Sequence, residues 1–127
     1  MGKMKISVLG GGNGAHTMAG DLALRGYSVR MYEQTGFIGK LSTLKDTLTI
    51  RCTGIFSGDA GIGMLTDNIE EAIDGAKYIA VVTPSFAHES IAMELKGKIG
   101  KNQILLIYPG GFGALQFKRI LGDDCPV

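Results

Sequence analysis

The 127-residue sequence is poor in the features that commit a chain to metals, disulfides, nucleic acid or lipid. Its two cysteines, Cys52 and Cys125, stand far apart, with no Cys-x-x-Cys and no histidine spacing suited to zinc, so neither a disulfide framework nor a metal-built core is expected. Thirteen basic and 12 acidic residues are interspersed and leave a net charge of +1. Without a basic stripe or a polybasic patch, neither nucleic acid nor a membrane surface is an expected partner. Long apolar runs are missing too. The N-terminal one stops at Leu9, short of a signal-peptide core, and Met1-Gly2 fails the myristoylation pattern because Ile6 stands where Ser or Thr is needed. The expectation is a cytoplasmic protein that binds small molecules or other chains. No repeat, low-complexity tract or interdomain linker is visible, and the length suits one domain that buries roughly two thirds of its unfolded surface.

Glycine, by contrast, is abundant, with 20 residues, and six positions carry most of the information: Gly10-Gly11-Gly12-Asn13-Gly14-Ala15. This turn lies between the apolar, β-branched run Lys5 to Leu9 and a stretch in which Ala15, Met18, Ala19, Leu22 and Ala23 fall at i, i+3, i+4, i+7 and i+8. Arg25 suits the last turn of that helix and Gly26 its cap; Ser28 to Tyr32 then reads as a second strand. Strand, glycine turn, helix and strand within about 30 residues form the βαβ unit of a dinucleotide fingerprint, Gly10-x-Gly12-x-x-Ala15. Gly10 lets the chain turn sharply, Gly12 lets the backbone approach a pyrophosphate, and a small Ala15 lets helix pack on strand. The helix N-terminus offers unpaired N–H groups to the phosphates.

The rest of the chain keeps the alternation. From Gln34 to Leu65 the pattern is weak: a poorly defined linker or helix, then two or three short strands, one of them Thr47 to Cys52. Asp67 with Glu70 forms a capping pattern for a short helix carrying Ile69, Ala72 and Ile73. Tyr78 to Val82 reads as a buried strand and Ala87, Ile91 and Leu95 as a helix; Gln103 to Tyr108 and Ala114, Phe117 and Leu121 repeat the pair. The fold class is therefore α/β: a Rossmann-type, doubly wound, mainly parallel sheet in a single dinucleotide-binding domain, residues 1–127. Asp123-Asp124-Cys125 reads as a turn and Pro126-Val127 as the start of one more strand, so the chain resembles the front part of a larger protein.

Glu33 stands about 20 residues beyond Gly12, at the end of the second strand, where an acid accepts hydrogen bonds from ribose hydroxyls and repels a 2′-phosphate. Gln34 and Thr35 supply no positive charge, so NAD is expected over NADP; Arg30 and Lys40 are the cations able to reverse this. His16 reads as solvent-facing unless a phosphate lies close, because the helix dipole disfavours a cation there. Thr83-Pro84-Ser85-Phe86-Ala87-His88 follows a strand at its carboxyl end, where ligands of open α/β sheets lie. Ser85 and Phe86 are candidates for lining the cofactor and His88 for facing a substrate, with Ser85 alternatively a helix N-cap. A Ser/His nucleophilic dyad lacks an orienting third partner. The second loop, Pro109-Gly110-Gly111-Phe112-Gly113, either closes over a nicotinamide or only turns the chain.

With these segments in place, the chain resembles the N-terminal domain of the opine dehydrogenase family, the octopine and nopaline type. Ile6 to His16, Asp21 to Gly26, Thr66 to Ala72, Pro84-Ser85-Phe86-Ala87-His88-Glu89 and Pro109 to Leu115 carry the resemblance. Gly11 stands where the family has alanine, a departure expected to matter little, and Thr83 replaces an aliphatic residue. The resemblance implies reductive condensation of an amino acid with an α-keto acid using NAD(P)H, with the catalytic histidine and acid on a C-terminal helical domain absent from this chain. No catalytic residue is therefore assigned here. The cofactor role carries over to Gly10, Gly12, Asn13, Gly14 and Ala15, and extends to Glu33, Pro84, Ser85, Phe86, Pro109 and Gly110. Amino acid and keto acid would be partners only with the second domain, and the isolated chain is expected to self-associate. Ketopantoate reductase and glycerol-3-phosphate dehydrogenase are the neighbouring readings; a freestanding regulatory nucleotide-binding module, of the kind that gates potassium transport, is the non-enzymatic one.

Overall fold

The computed structural model describes residues 3–123 and 125–127. Five strands form one sheet: β1 (Lys5–Leu9), β2 (Ser28–Tyr32), β5 (Met64–Thr66), β6 (Tyr78–Val82) and β7 (Ile104–Tyr108), in the order β5-β2-β1-β6-β7. Every pair is parallel, with Leu9 opposite Tyr32 on one side and Val81 on the other. The chain starts in the middle, winds outward through β2 to β5, then crosses to β6 and β7. That reversal places a topological switch point beside the end of β1.

Apolar residues fill both faces of the strands because helices cover both. Successive side chains alternate: Val8 and Met31 join Ala15, Ala19, Leu44 and Leu65 in one core, while Leu9 and Tyr32 join Ile79, Ile91, Leu95, Leu105 and Phe117 in the other. The first core lies under α1 (Asn13–Leu24) and α3 (Ser42–Thr47), the second under α4 (Ile69–Ile73), α5 (His88–Leu95) and α6 (Gly113–Leu121). Helix α1 runs as its apolar stripe requires and stops at Arg25, followed by Gly26 at φ +99°.

The weakly patterned stretch resolves into α2 (Thr35–Ile38), a 3-10 turn at Gly39–Leu41, α3, and an antiparallel hairpin of β3 (Thr49–Cys52) and β4 (Gly58–Gly61) outside the main sheet. Gly20 of α1 abuts this hairpin so closely that a Cβ there would stand 2.6 Å from Cys52 Sγ. The cap of α4 is Asn68 rather than Asp67: its side chain accepts from the Glu70 and Glu71 N–H groups at 3.0 and 3.2 Å. At the far edge the Pro126 carbonyl accepts from Leu105 N–H at 2.8 Å, beside β7. Of the turn read at residues 123–125, Asp124 lies outside the described residues, and Cys125 N–H donates to the Gly122 carbonyl at 3.1 Å. No described helix is long and apolar enough to cross a membrane.

Candidate functional site

A cleft of about 550 Å³ opens at the carboxyl ends of the central strands. The glycine turn forms its floor through Gly11, Gly12, Asn13 and Gly14; Glu33, Gln34, Phe37, Lys40 and Leu41 close one end; Val82, Thr83, Pro84, Phe86, Ala87 and Ile91, with Tyr108 and Pro109, form the other. Four segments distant in sequence thus meet at one place because parallel strands bring their carboxyl ends to the same edge.

Each glycine of the turn does something different. Gly10 has φ +139°, and a Cβ on it would overlap the Val82 carbonyl. It therefore permits the close passage of the turn over β6 without itself lining the cleft. Gly12 has no atom within 4 Å of where a Cβ would stand, so its backbone is open to the cleft. Gly12 is also the N-cap of α1 and gives it no side-chain cap, and the first turn holds no acid. The orphan N–H groups there are left for something else. Ala15 is fully buried beneath them, as close packing requires.

Glu33 turns its carboxylate back over the glycine turn, where Oε1 accepts from Gln34 N–H at 2.8 Å. A Cβ at Gly11 would lie 2.5 Å from Glu33 Oε2 and 2.8 Å from Leu41 Cδ1, both the far ends of flexible side chains that can swing aside. Of the two cations able to oppose Glu33, Arg30 is turned away and donates to the Glu71 and Asp74 carbonyls at 2.7 and 3.3 Å. Lys40 remains in the cleft wall, its Nζ 5.8 Å from the centre of the Phe37 ring. Behind this wall the buried Tyr32 hydroxyl donates to Glu94, and Gln34 Nε2 donates to Ser90 Oγ at 3.0 Å, tying the end of β2 to α5. Burial, then the Glu94 hydrogen bond, drives the Tyr32 phenol far above its ordinary value, so it remains a donor.

Phe86 is exposed and lines the cleft, and so do Pro84 and Pro109, whereas Ser85 and Gly110 lie outside its lining. Ser85 is not a helix N-cap: it sits in the 3-10 turn Ser85–Ala87 and no side chain caps either that turn or α5. His88 does not line the cleft. It is 1% exposed, packed edge-on against Phe117 with ring centres 5.6 Å apart. Burial lowers its pKa from the ordinary value, with the Thr83 main chain opposing the shift. His16 Nδ1 donates to the Gly12 carbonyl at 2.9 Å and lines no part of the cleft. Of the residues that sequence reasoning missed, Phe37 and Leu41 sit beside Lys40 in short helical turns without a period; the signal available was their nearness to Glu33. Among the described residues no cluster of His, Cys, Asp or Glu is arranged to hold a metal.

The model of one protein family, the NAD-dependent glycerol-3-phosphate dehydrogenase N-terminus, matches residues 5–122. The chain is 34% identical over 120 residues to an opine dehydrogenase of Arthrobacter sp. (strain 1C), covering 93% of this chain and 33% of that one. To the octopine dehydrogenase of Pecten maximus it is 30% identical over 131 residues, covering 94% and 32%. A solved octopine dehydrogenase with NADH and L-arginine superimposes with a TM-score of 0.80 at 27% identity, covering 95% of this chain and 32% of that one. A glycerol-3-phosphate dehydrogenase structure from Coxiella burnetii, at 18% identity and a TM-score of 0.72, shares the fold. The chain spans about a third of the length of the curated relatives it matches.

Proposed function

The chain belongs to the NAD-dependent glycerol-3-phosphate dehydrogenase N-terminus family, and from that premise we propose that it is the NAD-binding part of an opine-type dehydrogenase. One observation carries the cofactor reading: an uncapped helix N-terminus and an open glycine backbone share a cleft with a carboxylate at the end of β2. The residues present fit a dinucleotide. The N–H groups at the start of α1 and the Gly12 to Gly14 backbone would take the pyrophosphate, with Gly10 and Ala15 holding the turn in shape. Glu33 would accept from the adenosine ribose, and the Pro84, Phe86 and Pro109 walls, with Ser85 and Gly110 behind them, would flank the nicotinamide. Bound NADH supplies a hydride. In an opine-type reaction its destination is the imine formed from an amino acid and an α-keto acid.

The similarity to opine and octopine dehydrogenases across more than nine tenths of this chain supports the opine type over the broader family. On this reading the groups that bind the amino acid and keto acid lie outside residues 1–127, the protein works in the cytoplasm, and the chain alone binds cofactor without turnover. Glu33 favours NADH, with Lys40 as the cation that leaves some room for NADPH. Fluorescence titration of the 127-residue chain tests the reading. NADH should bind more tightly than NADPH, and absence of binding by either at about millimolar concentration, a threshold of roughly −4 kcal/mol, sinks it.

A further inference from the structure

We infer that the Thr83 hydroxyl is a further binding group of the cleft, one that turns out of the wall to hydrogen-bond the phosphate–ribose backbone of a dinucleotide between its pyrophosphate and its nicotinamide. The inference rests on the cofactor reading above. Among the described residues, three buried side-chain polar atoms have no partner: Ser7 Oγ, Thr83 Oγ1 and His88 Nε2. Ser7 and His88 lie in the interior, 0% and 1% exposed, and neither lines the cleft. Thr83 does line it. It follows the last residue of β6 and stands against the glycine turn, its Cγ2 3.3 Å from where a Cβ on Gly10 would be. That places it where the phosphate cradle meets the Pro84 and Phe86 wall.

The wall around it is otherwise apolar: Val82, Pro84, Phe86 and Ala87 are the other lining residues between positions 82 and 87. In such a wall a threonine is a poor filler. A valine has nearly the same shape and leaves no hydroxyl without a partner, and an unpaired buried hydroxyl is costly. That cost is offset when the hydroxyl gains a partner in the filled cleft. No backbone movement is needed. Oγ1 and Cγ2 occupy two of the three staggered positions on the Thr83 Cβ, so a rotation of about 120° about χ1 carries the enclosed oxygen to another of them. A hydroxyl both donates and accepts, so in the cleft it can donate to a phosphate oxygen or accept from a ribose hydroxyl.

Opposite signs in two measurements make the test specific. In the full 127-residue chain without ligand, Thr83→Val should unfold at a urea midpoint no lower than the parent's and up to about 0.5 M above it, because the orphan hydroxyl is gone. The same variant should bind NADH and ADP-ribose about tenfold more weakly while changing AMP, which lacks the second phosphate and ribose, by less than about twofold. Thr83→Ser keeps the hydroxyl and should bind NADH within about threefold of the parent. A hydroxyl that serves only the fold gives a lower midpoint in Thr83→Val with NADH binding unchanged, and either result overturns the inference. So does a loss equal for NADH and AMP, or a loss for NADH with none for ADP-ribose. If Thr83→Val fails to fold, Thr83→Ala compared with Thr83→Ser decides by the same affinities. An unmodified chain that binds neither NADH nor AMP is a different failure: it overturns the cofactor reading and, with it, the ligand of Thr83.

Discussion

Gly10 and Gly12 are two residues apart in one turn, yet the structure separates what each is for, and alanine substitutions should separate them in solution. At Gly10 an added methyl meets a main-chain carbonyl in the central sheet and the residue is held at φ +139°, so neither the side chain nor its obstacle can move aside cheaply. Positive-φ strain of about 1–3 kcal/mol together with the displacement of the turn gives a loss of roughly 2–4 kcal/mol. With a urea dependence of about 2 kcal/mol per molar for a chain of this size, the unfolding midpoint should fall by roughly 1–2 M. At Gly12, with φ −85° and open space around the methyl, stability should stay within about 0.5 kcal/mol of the parent. The methyl instead occupies the place where a phosphate would approach. Loss of one or two charge-assisted hydrogen bonds from backbone N–H groups, about 3 kcal/mol in all, should weaken NADH by roughly 100-fold. Urea denaturation followed by circular dichroism and NADH titration give the two readouts. The reasoning is refuted if Gly12→Ala destabilises as much as Gly10→Ala, or if it binds NADH as the parent does.

Three further outcomes follow from the same contacts. Asn68→Ala removes the acceptor for two helix N–H groups and should cost about 1 kcal/mol in urea unfolding, with a change under about 0.3 kcal/mol contradicting the cap. Glu33→Gln removes the charge that repels a 2′-phosphate while Lys40 stays in the wall, so the NADH-to-NADPH affinity ratio should narrow by about tenfold; an unchanged ratio removes Glu33 from the choice. Burial lowers the His88 pKa in the folded chain against the ordinary 6.5, so the unfolded chain binds more protons as pH falls. His88 therefore contributes stability that is complete above pH 6.5 and lost below it, at up to about 1.4 kcal/mol per pH unit. The difference between urea midpoints at about pH 7.5 and 5.5 should shrink in His88→Leu, and an equal difference in both proteins argues against a buried neutral imidazole.

The elements legible in the sequence are those whose burial is symmetrical. Lys5–Leu9, Ser28–Tyr32 and Tyr78–Val82 sit with helices on both faces, so their sequences are short apolar runs ended by an acid, glycine or a proline-bearing turn. Within residues 34–65 the short strands were legible, the one read at Thr47 to Cys52 overlapping β3, but the helical turns were not, because none is long enough to have a period. Helices α2 and α3 hold four and six residues, and α3 buries only Leu44. Such turns are fixed by what they pack on rather than by their own pattern. The displacement of the α4 cap by one residue has a simpler cause: Asp67 and Asn68 both carry acceptors, and only the helix start at Ile69 decides between them.

The site divides along the same line between local and non-local causes. The fingerprint is a property of six adjacent residues, so its turn, its open backbone and its uncapped helix follow from the sequence directly. The neighbours of Gly11, the side chains of Glu33 and Leu41, reach it only after the chain has returned through β2, so no local pattern names them. His88 was misassigned for the opposite reason. The stripe read as Ala87, Ile91 and Leu95 is in fact His88, Ile91, Ala92 and Leu95, at i, i+3, i+4 and i+7, and that spacing alone places the imidazole on the buried face. A histidine in a signature segment invites a chemical role, but periodicity puts it behind the cleft wall. Any effect of its removal must therefore reach the cleft through the groups packed on the ring, Phe117 and Gly113.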